Sequence, residues 1–506
     1  MTAWKFMSTT ALVALVAGSA AQADVTPEEV WSNWKSTATA AGQTVTTASE
    51  TREGPALVVS GITLTAGDDA VDATVTIDRI ALTDNGDGSV AVTMSDSYPL
   101  AIRAAGAVGE ADTLTNLTVS HPGLAIKVSG SPAEMRYDFT APSLKVALKD
   151  VQSPDQAAVP TDMVAEAGLT GLSGNYIVAG TGDAKAISSN AAADTLSFIM
   201  KGTNPEDQSK IDMKLGMAKL AGTSTGKTVG TMGADLAAAL KAGFSAEGSF
   251  SYAGTTMDMT VTEATGDTRV SASVSGGDLT FVMDAARLGY GATGKDASIT
   301  MSGPEIPFPQ LTLGYKESAF NFEMPVAKGD APAPFRFLTR LTDLTISDEI
   351  WGMFDPTGQL PRDPMTLVLD TRGTARLNVD LMDEAAMSAL GEAAPGELNS
   401  LDVTALQLKA AGAEITGNGA FTFDNTDLAT YGGFPAPTGK LSLKATGVNG
   451  LLDKLMAMGL VPEDQMMGAR MMLGMFAKVD PANPDTMTSD LEFKGKSFFA
   501  NGMQLQ

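Results

Sequence analysis

The run Ala221-Gly-Thr-Ser-Thr-Gly226-Lys227-Thr228 comes within one glycine of a phosphate-binding loop. In that motif the spacing G-x-x-x-x-G-K-[ST] lets backbone amides cradle phosphates while the lysine neutralises them. Here Ala221 occupies the first glycine position, and no helix is signalled before about Asp235, so the stretch reads as a polar loop. Thr83, Asn85, Asp87 and Gly88 imitate the opening of a calcium loop, which needs a carboxylate at its first position and a bidentate Glu at its twelfth. Those positions hold Thr83 and Met94. The Asn85-Gly86-Asp87-Gly88 run therefore reads as a tight turn between two strands, its glycines supplying φ > 0. A weak surface calcium site would have to draw on Asp68, Asp69 and Asp72.

His121 is the only histidine, and there is no cysteine in 506 residues. Zinc sites built from several imidazoles or thiolates are thereby excluded, as is every Cys–His nucleophile pair. His121-Pro122-Gly123 lies between Leu117, Val119 and Leu124, Ile126, the pattern of a turn joining two strands. No G-x-S-x-G elbow is present, and the carboxylates are scattered over turns, so a hydrolase ranks last. No residue is assigned to catalysis, to a cofactor or to a metal. The methionines remain. Of 27, Met467, Met471 and Met475 fall at i, i+4, i+8 beside Met466 and Met472. One reading is gap-filling core; the other is an adaptable surface for acyl chains or partner helices. With Phe421 and Phe423 these three methionines are the candidate apolar contacts for a ligand or partner.

The elements that would position them read as mostly β, in the α+β class. From about residue 44, short stretches with every second residue apolar recur between Gly, Asp, Asn and Thr. Ala73/Val75/Ile77, Met257/Met259/Val261, Leu377/Val379/Leu381, Phe421/Phe423 and Leu441/Leu443/Ala445 each leave polar residues between them. Period-2 alternation of this kind predicts long twisted antiparallel sheet, greasy on one face. A helix precedes it: Thr26 as N-cap, Pro27 at the first position, Glu29 completing a capping box, and Val30, Trp34, Ala38 and Ala41 on one stripe before Gly42. Other helices are expected at Asp235–Lys241, at Asp383–Glu392, and as a hairpin over 448–477, with Asn449 capping its first helix and Pro462 opening its second. Proline clusters place a joint at 304–336, dividing a β-rich half at 24–303 from another at 337–506.

The first 23 residues carry Lys5, an apolar run around Leu12 to Val16, and Ala21-Gln22-Ala23, the order of a cleavable secretory leader. The expectation is a periplasmic protein with no transmembrane segment once the leader is removed. Formal charge is −25, one unit more negative without Lys5, which disfavours nucleic acid and anionic lipid surfaces as partners. With 44% hydrophobic and 18% charged residues the chain has a folding composition.

Ile415 to Asn425, Phe434-Pro435-Ala-Pro437-Thr-Gly439 and the hairpin Gly447 to Ala477 resemble a family of exported Gram-negative proteins, of alphaproteobacterial type, known only as a domain of unknown function. Thr26 to Trp31, Thr93 to Pro99 and Leu360 to Pro364 look similar to the same family. The resemblance extends distantly to AsmA-like envelope proteins. It implies long twisted sheets with a greasy side and a part in outer-membrane lipid homeostasis, although AsmA-like proteins usually keep a membrane anchor where this chain carries a leader. The expectation is a non-enzymatic envelope protein that offers an apolar sheet face to lipid or to an envelope partner. The alternative is a scaffold whose apolar faces are all consumed internally.

Overall fold

The computed structural model describes residues 24–505, apart from 41, 68–69, 107–110, 154–158, 161, 181, 183 and 230–235. The leader expected at residues 1–23 therefore lies outside the described residues. The capping box at Thr26 forms as expected. Its backbone N–H donates to Glu29 Oε2 at 2.9 Å, and the Glu29 N–H donates to Thr26 Oγ1 at 3.3 Å, opening helix α1 (Pro27–Ala40). Pro27, Val30 and Trp31 are buried in α1, and Trp34 is partly buried beside them.

Every strand that follows joins one antiparallel sheet, twenty-seven strands among the described residues. Edge strands β1 (Thr44–Thr46) and β2 (Ser49–Glu53) lie along β3 (Ala56–Gly67), which pairs with β4 (Val71–Asp84). The next two rungs are each broken into collinear pieces: β5 (Val90–Met94) with β6 (Ser97–Ala104), then β7 (Thr113–Ser120) with β8 (Ala125–Ser131). Four long rungs come next: β9 (Glu134–Gln152), β10 (Val164–Ala179), β11 (Lys185–Thr203) and β12 (Lys210–Thr228). Short helix α2 (Leu236–Lys241) leads to two more broken rungs, β13 (Ser245–Tyr252) with β14 (Gly254–Glu263), and β15 (Gly266–Val274) with β16 (Gly276–Met283).

The ladder then runs through β17 (Arg287–Ser302), β18 (Leu311–Pro325) and β19 (Ala333–Ile346). It thus passes straight through the proline-rich stretch at 304–336, where β18 pairs with strands on both sides. Helix α3 (Asp348–Phe354), β20 (Met365–Leu377), α4 (Glu384–Leu390), β21 (Gly396–Ala410), β22 (Ala413–Asp424) and β23 (Ala436–Thr446) follow. The helical hairpin is α5 (Val448–Ala457) and α6 (Glu463–Phe476). Last come β24 (Lys478–Asp480), β25 (Asn483–Lys494), β26 (Ser497–Ala500) and β27 (Met503–Gln504), with β25 paired to β23. Both ends of the sheet finish in short strands, and β2, Ser-Glu-Thr-Arg-Glu, is exposed throughout.

A crease crosses the sheet at right angles to its strands. Pairing between β9 and β10 skips Pro142 and Gly171, and between β11 and β12 it skips Asp194 and Lys219. Between β17 and β18 it skips Asp296 and Lys316, and between β3 and β4 it skips Gly61 and Asp78. The breaks at Ser95–Asp96, His121–Leu124, Ala253 and Ser275 fall on the same line. Gly61, Gly171, Lys219, Asp296 and Asp343 sit on it at φ between 48° and 60°. Three of these five are not glycine, a left-handed conformation that costs roughly 1–2 kcal/mol per residue. Ion pairs from Asp194 to Lys219 at 3.2 Å and from Asp296 to Lys316 tie the crease residues together.

On the rungs from β3 to β19 the crease adds to the strands, so the apolar alternation changes phase there, whereas β22, β23 and β25 pair without a break. In β3 the apolar side passes from Leu57 and Val59 to Ile62 and Leu64; in β10 it passes from Tyr176 and Leu172 to Leu169 and Ala167. Residues three apart in a regular strand face opposite sides. Here Val59 and Ile62, and likewise Ile77 and Ile80, bury into one core with Val30, Trp31, Val90, Val92, Val128 and Tyr137. The extra residue keeps both halves of these rungs greasy on the same side, and α1 packs there.

Four expectations are corrected. Residues 221–228 are not a polar loop but the end of β12, paired on both sides. The strand expected through Val379 and Leu381 stops at Leu377, because Asp380 turns away to accept the Lys328 N–H at 2.8 Å and to pair with Lys241 at 2.8 Å. Asn449 does not cap α5: Gly447 holds that position at φ 73°, and Asp485 Oδ1 accepts the Asn449 N–H at 2.9 Å. Helix α3 carries the buried Trp351 in a segment where no helix was expected.

Gly61 has a Cβ-equivalent position 2.8 Å from the Ala48 side chain as well as a φ of 59°. Gly61→Val should lower stability by about 2–4 kcal/mol, the sum of left-handed strain and overpacking. A urea denaturation midpoint unchanged from that of the parent would show that the crease does not depend on this residue.

Candidate functional site

The residues facing α1 belong to rows that cross the whole sheet. Leu57, Leu82, Val92, Ile126, Phe139, Gly174, Ala191, Gly222 and Phe250 stand opposite one another in turn. The row continues through Leu279, Ala292, Phe320, Thr339, Leu369, Leu406, Gly417 and Leu443. Directly opposed residues share a face, so this is one line along the sheet, apolar or glycine at every position but Thr339. A parallel row, two residues away on each strand, places Phe281, Tyr290, Phe322 and Phe337 side by side.

Glycines on these rows let the rings lie flat. Phe139 stands opposite Gly174, Phe281 opposite Gly248, Phe335 opposite Gly373, and Phe421 opposite Gly439. A Cβ built on each of these glycines would fall 2.5–2.8 Å from the opposing ring. The aromatic side chain therefore covers the bare backbone of its neighbour, the arrangement called aromatic rescue. The result is a smooth apolar floor.

Helices α1 and α6 cover this floor at its two ends, and α2 buries Ala237 and Leu240 beside Val326 at strand ends between them. At the first, Trp34 stacks on Tyr137, with centroids 6.3 Å apart, and Tyr137 stacks on Tyr176 at 4.3 Å while its hydroxyl donates to Asn33 Oδ1 at 2.9 Å. Burial there pushes the Tyr176 hydroxyl up to about 12. At the other end Phe476, closing α6, packs on Phe498 at 6.4 Å and accepts the Ser489 Oγ hydrogen bond through its carbonyl. Phe498 leads through Phe493 at 4.9 Å to Phe421 at 6.2 Å. Between the ends the floor is open: Phe281 is 46% exposed and Tyr290 43%, and Leu279, Phe320, Phe337, Leu367 and Leu408 are exposed with them. A depression of about 410 Å³ lies over Gly248, Phe281, Tyr290 and Phe322.

The reverse face is charged. Lys145–Glu166 at 2.5 Å, Lys201–Asp212 at 2.9 Å, Arg287–Glu323 at 3.1 Å, Arg340–Glu317 at 3.2 Å and Arg376–Glu397 at 2.6 Å join neighbouring strands. Each of these residues is out of step with the floor residues of its own strand, as Glu323 is with Phe322 and Arg340 with Thr339, so the ion pairs lie opposite the floor.

Of the candidates from sequence, Phe421 and Phe423 are half-buried on β22, with Phe421 inside the aromatic cluster beneath α6. Met467 and Met471 are each 68% exposed, and Met475 is exposed as well, whereas their neighbour Met466 is buried. The structure therefore separates the methionines of the hairpin's outer side from the phenylalanines at its base. Sequence reading missed the aromatic row Phe281, Tyr290, Phe322 and Phe337. The apolar-plus-glycine alternation on successive strands was its available signal.

The polar candidates are structural in their contacts. His121 is buried, its ring 5.3 Å from Tyr98, and its backbone N–H donates to the Asp96 carbonyl at 2.8 Å on the crease. Asp84 and Asp87 accept the Gly86 and Ser89 N–H groups within the expected turn. Asp72 pairs with Arg103, while Asp68 and Asp69 lie outside the described residues. Asp355 is buried under its own loop. Burial pushes its carboxyl up, but N–H groups of Leu360 at 2.6 Å and Gln359 at 2.9 Å outweigh this and hold it below the usual range. Among the described residues, no three His, Asp or Glu side chains gather as a metal site, and no helix is long and apolar enough to cross a membrane.

No curated protein and no solved structure matches the chain. A family model does, over residues 216–495, a span that runs from within β12 past the end of β25 and includes the open floor and the hairpin. The chain belongs to the bacterial family described as "Uncharacterized protein conserved in bacteria (DUF2125)".

Proposed function

We propose that this chain is a non-enzymatic periplasmic protein of the cell envelope, distantly AsmA-like, that holds lipid acyl chains on the open part of its apolar floor. The observation that carries this reading is the line of apolar residues and glycines from Leu57 to Leu443, interrupted only by Thr339, covered at both ends and exposed between them. The exposed apolar residues lie on the rungs from β16 to β21, on the order of 25 Å at about 4.8 Å per strand. An acyl chain offers methylene surface with no hydrogen-bonding groups, and the floor between the capped ends offers rings and aliphatic side chains whose charged neighbours all point the other way.

A second sheet is a poorer occupant than a lipid. Sheets stack face to face at about 10 Å, and a helix with its side chains is itself about 10–12 Å thick. With α1 at one end and the hairpin at the other, the open floor admits a thin occupant more readily than a second broad sheet. The leader at residues 1–23 supports placement in the periplasm, and the AsmA-like resemblance supports a part in lipid handling.

Protein purified without detergent should carry lipid that mass spectrometry detects, and Phe320→Asp should remove most of it. Clean wild-type protein that takes up no lipid analogue would leave the scaffold alternative standing. Because Phe281 is half exposed and Tyr137 fully buried, Phe281→Ser should cost less than about 1.5 kcal/mol and Tyr137→Ala about 3–5 kcal/mol. Equal losses in urea titrations would mean that something within the chain covers the floor after all.

A further inference from the structure

Helix α6 wears its methionines on the outside. Met466, Ala469, Leu473 and Phe476 form the inward stripe, while Met467, Met471, Met472 and Met475 face solvent, joined by Met456 and Leu460 from α5 and the turn after it. From Leu455 to Phe476 the only charged side chains are Glu463, Asp464 and Arg470, and Arg470 is paired with Asp453. An exposed patch of this composition on a chain of formal charge −25 marks an interaction surface.

We propose that the hairpin docks on a zwitterionic lipid bilayer, laying its methionine side into the headgroup boundary. Charge selects this occupant. The acidic body is repelled by anionic lipid, and the hairpin is the low-charge surface that can approach neutral headgroups without desolvating unpaired ions. Length sets the mode: α5 and α6 have 10 and 14 residues, too short to cross a hydrocarbon core of about 30 Å, so they lie in the interface. Continuity gives the purpose. Phe476 at the base of α6 connects through Phe498 and Phe493 to Phe421 on the floor, so a hairpin lying on a bilayer brings this end of the floor beside the lipid from which an acyl chain would leave. The direction of that transfer rests on the acyl-chain reading of the floor; the docking itself does not.

The experiment is flotation of the purified protein with phosphatidylcholine vesicles, beside vesicles containing anionic lipid. Wild type should float with the former, and Met467→Gln/Met471→Gln should partition at least about tenfold less, as expected from taking two methionines out of the interface. Glutamine keeps helix propensity, and an unchanged thermal midpoint will show that the fold is kept. Phe320→Asp should float like wild type while losing co-purified lipid. Flotation that depends on the hairpin in a protein that carries no lipid upholds docking and removes the floor reading alone. Wild type that fails to float, floats only with anionic vesicles, or floats equally well with both methionines replaced overturns the proposal.

Discussion

One constraint organises the molecule: a strand's side chains alternate strictly, so a single added residue sends every later side chain to the wrong face. Rung after rung carries such an addition at the same height. Gly61, Gly171, Lys219, Asp296 and Asp343 take up the left-handed conformation there, and the ladder skips their partners as well. Because the slip occurs on facing strands together, the register on either side is kept. Bulged strands bend and twist more strongly than regular ones. A row of them bends the sheet along a line while leaving its chemistry undivided, and the core under α1 draws on both sides of that line.

The two faces hold the sheet in different ways. On the charged face, cross-strand pairs such as Lys201–Asp212 and Arg376–Glu397 are half exposed and worth little individually, yet each favours one register over its neighbours. On the apolar face, the glycines opposite Phe139, Phe281, Phe335 and Phe421 allow rings to lie across the backbone. Larger residues at those glycines would lift the rings and make the floor uneven. The same glycines that weaken strand propensity thus shape the surface on which the function is proposed.

Much of this was legible in the residues. The capping box at Thr26 and Glu29, the turn at Asn85 to Gly88, the helix after Asp383 and the hairpin after Gly447 follow from local chemistry, and local chemistry decided them. The strands were legible as segments but not as rungs, since the change of phase between Val59 and Ile62 looks like the end of one pattern and the start of another. Only the partner strands show that both belong to one line. Asp380 was misread as an ordinary strand position because its role depends on contacts with distant chain: it meets Lys328 and Lys241. The methionines of α6 could be assigned to a helix from spacing, but which of them face outward is decided by how the hairpin sits on β22 and β25, as buried Met466 beside exposed Met467 illustrates.

The sheet ends matter for what the protein can become. An open row of amide and carbonyl groups on a long flat edge would recruit another chain. Here one border is a five-residue strand bearing Glu50, Arg52 and Glu53, and the other is whittled down from β25 through β26 to the two residues of β27. Neither offers a template long enough to copy. The molecule is thereby a ribbon of fixed extent, and the length of its apolar floor is written in the number of strands the chain encodes.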